Sequence, residues 1–452
     1  MTLKAYRYRL YPNAVEQNKL AQHFGCARLV FNLFLEANQK AYKETGKGIK
    51  PYTFIVSLPK LKKSEEYSFL KEVNSQSLQS SVLNAGKALD NFFAKRTGFP
   101  RFKSKRSGRQ SFQCPQNVRV HFDPESLTST KGTIELPKIG RIKAVLHRRF
   151  VGEVGTVTIV KEPSGKYYAS VLVDDGVELP KADVITEDRT AGCDAGIKTA
   201  LVVSYPDGTV KKFDNHRRLT KGLKRLKIEQ KILARKKVSF AEQTNSEGKT
   251  FQQRLPSKGY CKQREKISKL HEYIRHCRLN DVHQISHTLA NDNQVTSYVI
   301  EDLNIKGMAK NHKLARAILD VGIGNLYRCL DYKLQANGKN LIKADRFYPS
   351  SKRCCVCGHR HQGLTLKDRE WQCEVCGQEH DRDECAAKNL AKWPFLAEEN
   401  KSCAGRNGLE WVKSSSQAIL FSDSACAKGL NHTDSVRSHE ASEFSEVSSR
   451  HD

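Results

Sequence analysis

Residues 351–389, SKRCCVCGHRHQGLTLKDREWQCEVCGQEHDRDECAAKN, decide how the chain is read. Cys354 and Cys357 are separated by two residues, and Cys373 and Cys376 repeat that spacing after an interval of 15 residues. A C-x2-C turn aims two thiolates at one metal. Two such turns across a loop of this length complete a tetrahedral Zn(II) site. Gly358 and Gly377 follow the second cysteine of each pair, where a knuckle turn calls for positive φ. Cys355 sits inside the first knuckle and is not counted as a ligand. A closed site of this kind holds a fold together and does no catalysis.

The residues that follow open a helix. If it starts near Asp383, its apolar stripe is Ala386, Ala387, Leu390 and Ala391. Asp383 lies three and four residues before the first two, on the same inward face, and Asp381 does not. An inward carboxylate at a helix N-terminus invites a functional role. The plainer alternative is an N-cap.

Working outward, the 452 residues allow several domains and a sizeable core. The net charge of +28 calls for a polyanionic partner. No apolar run approaches membrane-spanning length, and MTLKAYRYRLYPN has no signal-peptide pattern, so nucleic acid rather than a membrane is the expected partner. The 14 cysteines show only metal-type spacing, which predicts a reducing, cytoplasmic setting.

Residues 3–10 alternate, with Tyr6, Tyr8 and Leu10 on one face and Arg7 and Arg9 on the other, so a strand with a basic, solvent-facing side is predicted. Asn13 and Glu16 resemble a capping box. Helical periodicity runs over 26–43 and 77–96. In 99–112, FPRFKSKRSGRQSF, the basic residues Arg101, Lys103, Lys105 and Arg106 are interleaved with aromatics, a pattern suited to phosphate contacts and base stacking. Residues 118–175 are strand-rich, with turns expected at Lys131-Gly132, Gly140 and Ser164-Gly165. They suggest a small barrel or sandwich that the first strand could complete. A linker is expected over 180–189.

Asp194 interrupts an otherwise apolar strand and is flanked by Gly192 and Gly196, which leave room for close approach. Leu219, Leu223, Leu226 and Leu233 keep an a/d-like spacing, as do Ile267, Leu270, Ile274 and Cys277, predicting a helical hairpin with basic outer faces. In the strand of 295–304, Val299 and Glu301 share a face. A helix over 318–335 and a strand, KNLIKAD, lead into the cysteine run. Serine-rich 401–452 reads as a mobile tail. Asp194, Glu301 and Asp383 are thus three acids at the ends of elements, a set able to hold two divalent ions for phosphodiester cleavage.

At these positions the chain resembles the TnpB family, RNA-guided nucleases of bacterial and archaeal insertion sequences that are similar to type V CRISPR effectors. The matching runs are YRLYPNAVEQ, CDAGIK, VIEDLNIKGM, FYPSSKRCCVCG, WQCEVCG and DRDECAAKN. The resemblance implies an α+β multidomain chain. A wedge-like β-barrel would occupy 1–12 and 99–182, with a helical recognition insertion at 13–98. An RNase H-like (RuvC) nuclease domain would occupy 186–350 and 378–397, with the zinc ribbon at 351–377 and the tail at 398–452. It implies Asp194, Glu301 and Asp383 as the catalytic triad on Mg(II), with structural zinc on Cys354, Cys357, Cys373 and Cys376. It also implies a guide RNA from the element's end and double-stranded target DNA as partners, with cleavage beside a short target-adjacent motif. Cys385 stands where the family usually has Asn. The competing readings are a zinc-ribbon DNA-binding accessory protein without nuclease activity, and a transposase.

Overall fold

The computed structural model describes residues 3–105, 108–123, 128–244, 250–365 and 368–396. Arg106 and the segment expected to be a mobile tail, 398–452, lie outside the described residues. The chain divides into two compact units, with the boundary between Glu178 and Leu179. No helix among the described residues is long and apolar enough to cross a membrane.

The first unit begins with β1 (Leu3–Tyr11), followed by α1 (Ala14–Thr45), α2 (Pro51–Lys63) and α3 (Ser75–Phe93). Six strands follow: β2 (Gln110–Cys114), β3 (Arg119–Phe122), β4 (Lys131–Leu136), β5 (Gly140–Val145), β6 (Glu153–Lys161) and β7 (Tyr167–Asp174). They form one antiparallel sheet in the order β2-β6-β7-β1-β5-β4-β3, so the first strand completes a sheet otherwise built a hundred residues later. Tyr8 and Leu10 of β1 enter a core that also takes Phe112 of β2 and packs against Phe122 of β3, the two edges of the sheet. The turn expected at Lys131-Gly132 is instead the start of β4; the chain reverses at Gly140 and Gly165, both at positive φ.

The capping box is formed: Glu16 N donates to Asn13 Oδ1 at 2.9 Å and Asn13 N to Glu16 Oε2 at 2.8 Å. The three helices share their own apolar core around Phe34, Leu58, Leu70 and Leu78. The periodicity reading overlooked α2, which starts with Pro51 in its first turn, where the missing N–H costs nothing.

The second unit opens with β8 (Thr190–Asp194), β9 (Thr199–Ser204) and β10 (Val210–Asp214). Next come α4 (Arg218–Ala234), the hairpin β11 (Val238–Thr244) and β12 (Thr250–Pro256), and α5 (Lys258–Ala290). Then follow β13 (Ser297–Glu301), α6 (Ile305–Met308), α7 (His312–Val321), α8 (Ile323–Ala336) and β14 (Asn340–Ala344). The cysteine run contributes β15 (Glu370–Gln372) and β16 (Glu379–Asp381), and α9 (Arg382–Lys392) closes the unit. The five-stranded sheet runs β10-β9-β8-β13-β14, antiparallel through β8 and parallel from β8 to β14. Parallel pairing requires a long crossover, which the α4–α5 excursion provides between β8 and β13.

Two expectations are corrected here. Residues 180–189 are not a free linker: Asp183 N donates to Gly338 O at 2.9 Å, and Asn340 Nδ2 donates to Asp183 O at 2.8 Å. The single helix over 318–335 is two, α7 and α8, broken where Gly322 turns to φ +71°. Between the two leucine seams the chain forms the β11–β12 hairpin, and the seams themselves meet through Leu226, Ile267 and Ile274.

Strand alternation assigns the two faces of the sheet. Cys193, Tyr298 and Ile300 join the core made with α5 and α8, whereas Val299 packs with Leu390 of α9. Gly192 lies on the α9 face. A Cβ there would overlap the Ala387 carbonyl oxygen and the Ala391 amide nitrogen, so the helix backbone rests directly on the strand. Gly192→Ala should therefore cost about 2 kcal/mol or more, since neither backbone can yield cheaply. The expected readout is a thermal midpoint several degrees lower in the full chain; an unchanged midpoint would show that α9 is not pressed against β8.

Candidate active site

The parallel ladder between β8 and β13 ends with Cys193 opposite Ile300, so Asp194 and Glu301 leave neighbouring strands at the same edge of the sheet. Alternation places both on the face carrying Gly192 and Val299, and α9 lies on that face with Asp383 in its first turn. Asp194 keeps some solvent contact but is densely surrounded by protein. Burial pushes its carboxyl well above the usual range. Glu301 and then Asp383 add to the shift, and Arg382 and Arg369 oppose it. Burial also raises Glu301, against a hydrogen bond from the Ser350 hydroxyl and the charge of Arg382. Asp383 accepts two contacts from Arg369 Nη1, at 2.9 and 3.0 Å.

Asp381 behaves differently. It is the N-cap of α9, with Oδ1 accepting from Asp383 N at 2.9 Å and Glu384 N at 3.1 Å, and it pairs with Lys212 at 3.1 Å. Burial would raise its pKa, but the Glu384 N–H and Lys212 hold it below the ordinary value.

Residues that the sequence reading did not single out complete this edge. Asn389 Nδ2 donates to Ser350 O at 2.8 Å and Arg353 O at 2.6 Å, tying α9 to the segment whose Ser350 side chain reaches Glu301. Among the described residues the buried Tyr327 hydroxyl has no hydrogen-bond partner, and its pKa is raised well above normal by burial, then by the charges of Glu301 and Asp194. Ser350 lies in the FYPSSKRCCVCG run and was within reach of the motif. Tyr327 falls at an ordinary helical core position and gave no signal.

Hard carboxylate oxygens with like charge that two arginines only partly offset suit divalent cations such as Mg(II). Among the described residues, two groups have all their ligand atoms within 4.8 Å of one another: Cys354, Cys357, Cys373 and Cys376, and the neighbouring Cys355, His380 and Cys385. In the first group, Cys354 and Cys376 sulfurs are 3.6 Å apart and those of Cys357 and Cys373 3.5 Å. Tetrahedral Zn–S bonds of about 2.3 Å place sulfurs about 3.8 Å apart, so the four thiols have the dimensions of a zinc site. The knuckles are alike: Gly358 N donates to Cys354 O at 3.0 Å and Gly377 N to Cys373 O at 2.9 Å, with φ of +77° and +69° at the glycines.

The basic residues separate into two kinds. Arg7 does not face open solvent as expected: its Nη2 lies 2.7 Å from the buried carboxylate of Glu162, and its guanidinium sits 4.3 Å above Tyr168. Arg9 is half-buried against Tyr168 and Tyr11, at 5.1 and 5.3 Å. The aromatic ring that faces them lies on β7, too far away in the chain for the alternation of β1 to reveal. Lys103 is exposed along its stem, but its ammonium turns in over Phe31 at 3.7 Å, and burial lowers its pKa to about 8. Arg101 and Lys105 remain exposed.

Three family models match. Residues 1–47 match "Helix-turn-helix domain", 171–312 match "Probable transposase" of the OrfB_IS605 type, and 324–390 match "Cas12f1-like, TNB domain". The protein of Streptomyces pristinaespiralis named "Putative RNA-guided DNA endonuclease" is 32% identical over 390 residues, covering 86% of this chain and 88% of that one. The chain belongs to the TnpB family. Its relative in Escherichia coli strain K12, "Putative RNA-guided DNA endonuclease InsQ", is 31% identical over 404 residues, 86% of this chain and 91% of that one. The solved "Structure of the mini-RNA-guided endonuclease CRISPR-Cas_phi3" aligns with a TM-score of 0.48 at 10% identity, over 89% of this chain and 93% of that one. Asp194 and Glu301 fall within the second family match, and the four cysteines and Asp383 within the third.

A carboxyl whose folded pKa is raised leaves the fold unpenalised below its unfolded value, near pH 4, and weakens it as pH rises through the folded value. Asn in its place cannot ionise. In magnesium-free buffer at pH 8, Asp194→Asn should thus melt about 2–4 °C above the parent, with the gap closing toward pH 4. A variant melting lower than the parent at pH 8 would contradict the like-charge account of this edge.

Proposed function

We propose that this chain is an RNA-guided DNA endonuclease that hydrolyses phosphodiesters at a RuvC-type site on an RNase H-like sheet, with Asp194, Glu301 and Asp383 as its metal ligands. The observation that carries the reading is the paired acids at the ends of adjacent parallel strands, β8 and β13, faced by the first turn of α9 and left with uncompensated negative charge. The names of the Streptomyces and E. coli relatives agree with it. Mg(II) held by Asp194, Glu301 and Asp383 would activate a water and neutralise charge on the leaving oxygen.

The chain's own residues prepare that site. Ser350 fixes the Glu301 carboxylate through its hydroxyl. Arg369 holds Asp383 and must release it for Asp383 to act as a ligand. Asp381 holds the helix start rather than the metals. The four thiolates of Cys354, Cys357, Cys373 and Cys376 bind structural zinc and set the strand that leads into α9. The antiparallel sheet of the first unit is read as the wedge barrel and its three helices as the recognition insertion. The charge of +28 serves a guide RNA and target DNA, whose pairing supplies sequence specificity beyond a short target-adjacent motif.

The test is single-turnover cleavage of matched double-stranded DNA in Mg(II), by protein co-expressed with RNA from its own locus. Asp383→Ala should bind target as the parent does and cut at least about a hundredfold more slowly. Asp381→Ala should lose about 1 kcal/mol of stability as a cap is removed and keep its cleavage. The reverse pattern would overturn the assignment. A parent that binds guide and target yet never cuts would instead be the accessory protein.

A further inference from the structure

The tetrathiolate site takes up Cys354, Cys357, Cys373 and Cys376, four of the six cysteines in this region. The other two, Cys355 and Cys385, lie close to one imidazole, that of His380. His380, on β16, is buried and its ring packs against Trp371 with centroids 4.7 Å apart, so its orientation is set. Nε2 lies 3.0 Å from the sulfur of Cys354, a ligand of the tetrathiolate site, whereas Nδ1 lies 3.7 Å from the sulfur of Cys355. The ligand atoms of Cys355, His380 and Cys385 all lie within 4.8 Å of one another. We propose that these three residues form a second thiophilic metal site, for Zn(II), beside the tetrathiolate site.

Three observations favour it. With Zn–S near 2.3 Å and Zn–N near 2.05 Å, two ligands of one tetrahedral ion stand about 3.6 Å apart, close to the measured 3.7 Å. A buried imidazole with sulfur facing both nitrogens is a metal-type donor set; a disulfide would need no histidine. The outer shell is also in place: Asn389 Nδ2 approaches Cys385 sulfur at 3.7 Å, and Trp371 packs on the ring. Cys355 is only partly buried, so a water can take the fourth position. The three ligands come from the first knuckle, β16 and α9. An ion here would clamp the ribbon to the helix that carries Asp383, and His380 would present its Nε2 proton to the thiolate of Cys354.

The test is zinc content of the full-length protein, purified under reducing conditions from zinc-supplemented medium, dialysed, and measured by inductively coupled plasma mass spectrometry. The parent should carry two zinc ions per chain, and Cys355→Ser and Cys385→Ser one each. A Co(II)-substituted parent should lose part of its thiolate-to-cobalt absorption in either variant while keeping that of the tetrathiolate site. One zinc per chain in the parent would overturn the proposal, a result that needs no variant to fold. So would a second zinc retained in both variants, which would place it elsewhere, or a Cys355–Cys385 disulfide in the peptide map of the parent.

Discussion

The contact of the α9 backbone with Gly192 is the constraint on which the rest of the second unit depends. A side chain at 192 would lift the helix by roughly the thickness of a methyl group, and Asp383 would leave the edge where Asp194 and Glu301 end. Asn389, two turns further along the helix, donates to the carbonyls of Ser350 and Arg353, so the same helix that rests on the strand also anchors the start of the cysteine run. Ser350 then reaches Glu301. Sheet, helix and ribbon are thus held in one arrangement by backbone proximity and a few hydrogen bonds, and the four clustered thiols lie in the chain between Glu301 and Asp383.

That arrangement has an electrostatic cost. Burial and mutual repulsion raise Asp194, and neither Arg369 nor Arg382 removes the strain. A fold selected only for stability would not gather acids at the edge of a parallel sheet. On the proposed function, bound cations offset what the protein leaves uncompensated. Arg369 occupies Asp383 meanwhile, as an internal counter-charge supplied by the ribbon.

Much of this was legible in the sequence where the signal is local. The knuckles follow from cysteine spacing and two glycines. The different positions of Asp381 and Asp383 on α9 follow from helical periodicity, because the cap and the inward face differ by two residues. The parity of Tyr8 against Arg7 was legible, but the surroundings of Arg7 were not, because Glu162, just after β6, and Tyr168, on β7, lie more than 150 residues away in the chain. The break at Gly322 was hidden by apolar periodicity that continues across it. Tyr327 could not be told from core, since only the tertiary fold sets its hydroxyl beside two carboxylates. Cys355 lies outside the group of four cysteines, and its meeting with His380 and Cys385 depends on how β16 feeds α9.

The central claim is that Asp194, Glu301 and Asp383 jointly form a cation site. A structure of the guide-bound protein with Mn(II), at a wavelength where manganese scatters anomalously, tests it most directly. The account predicts anomalous density in contact with all three carboxylates, with the Asp383 side chain released from Arg369. Density absent from this edge, with Asp383 still held by Arg369, would contradict it.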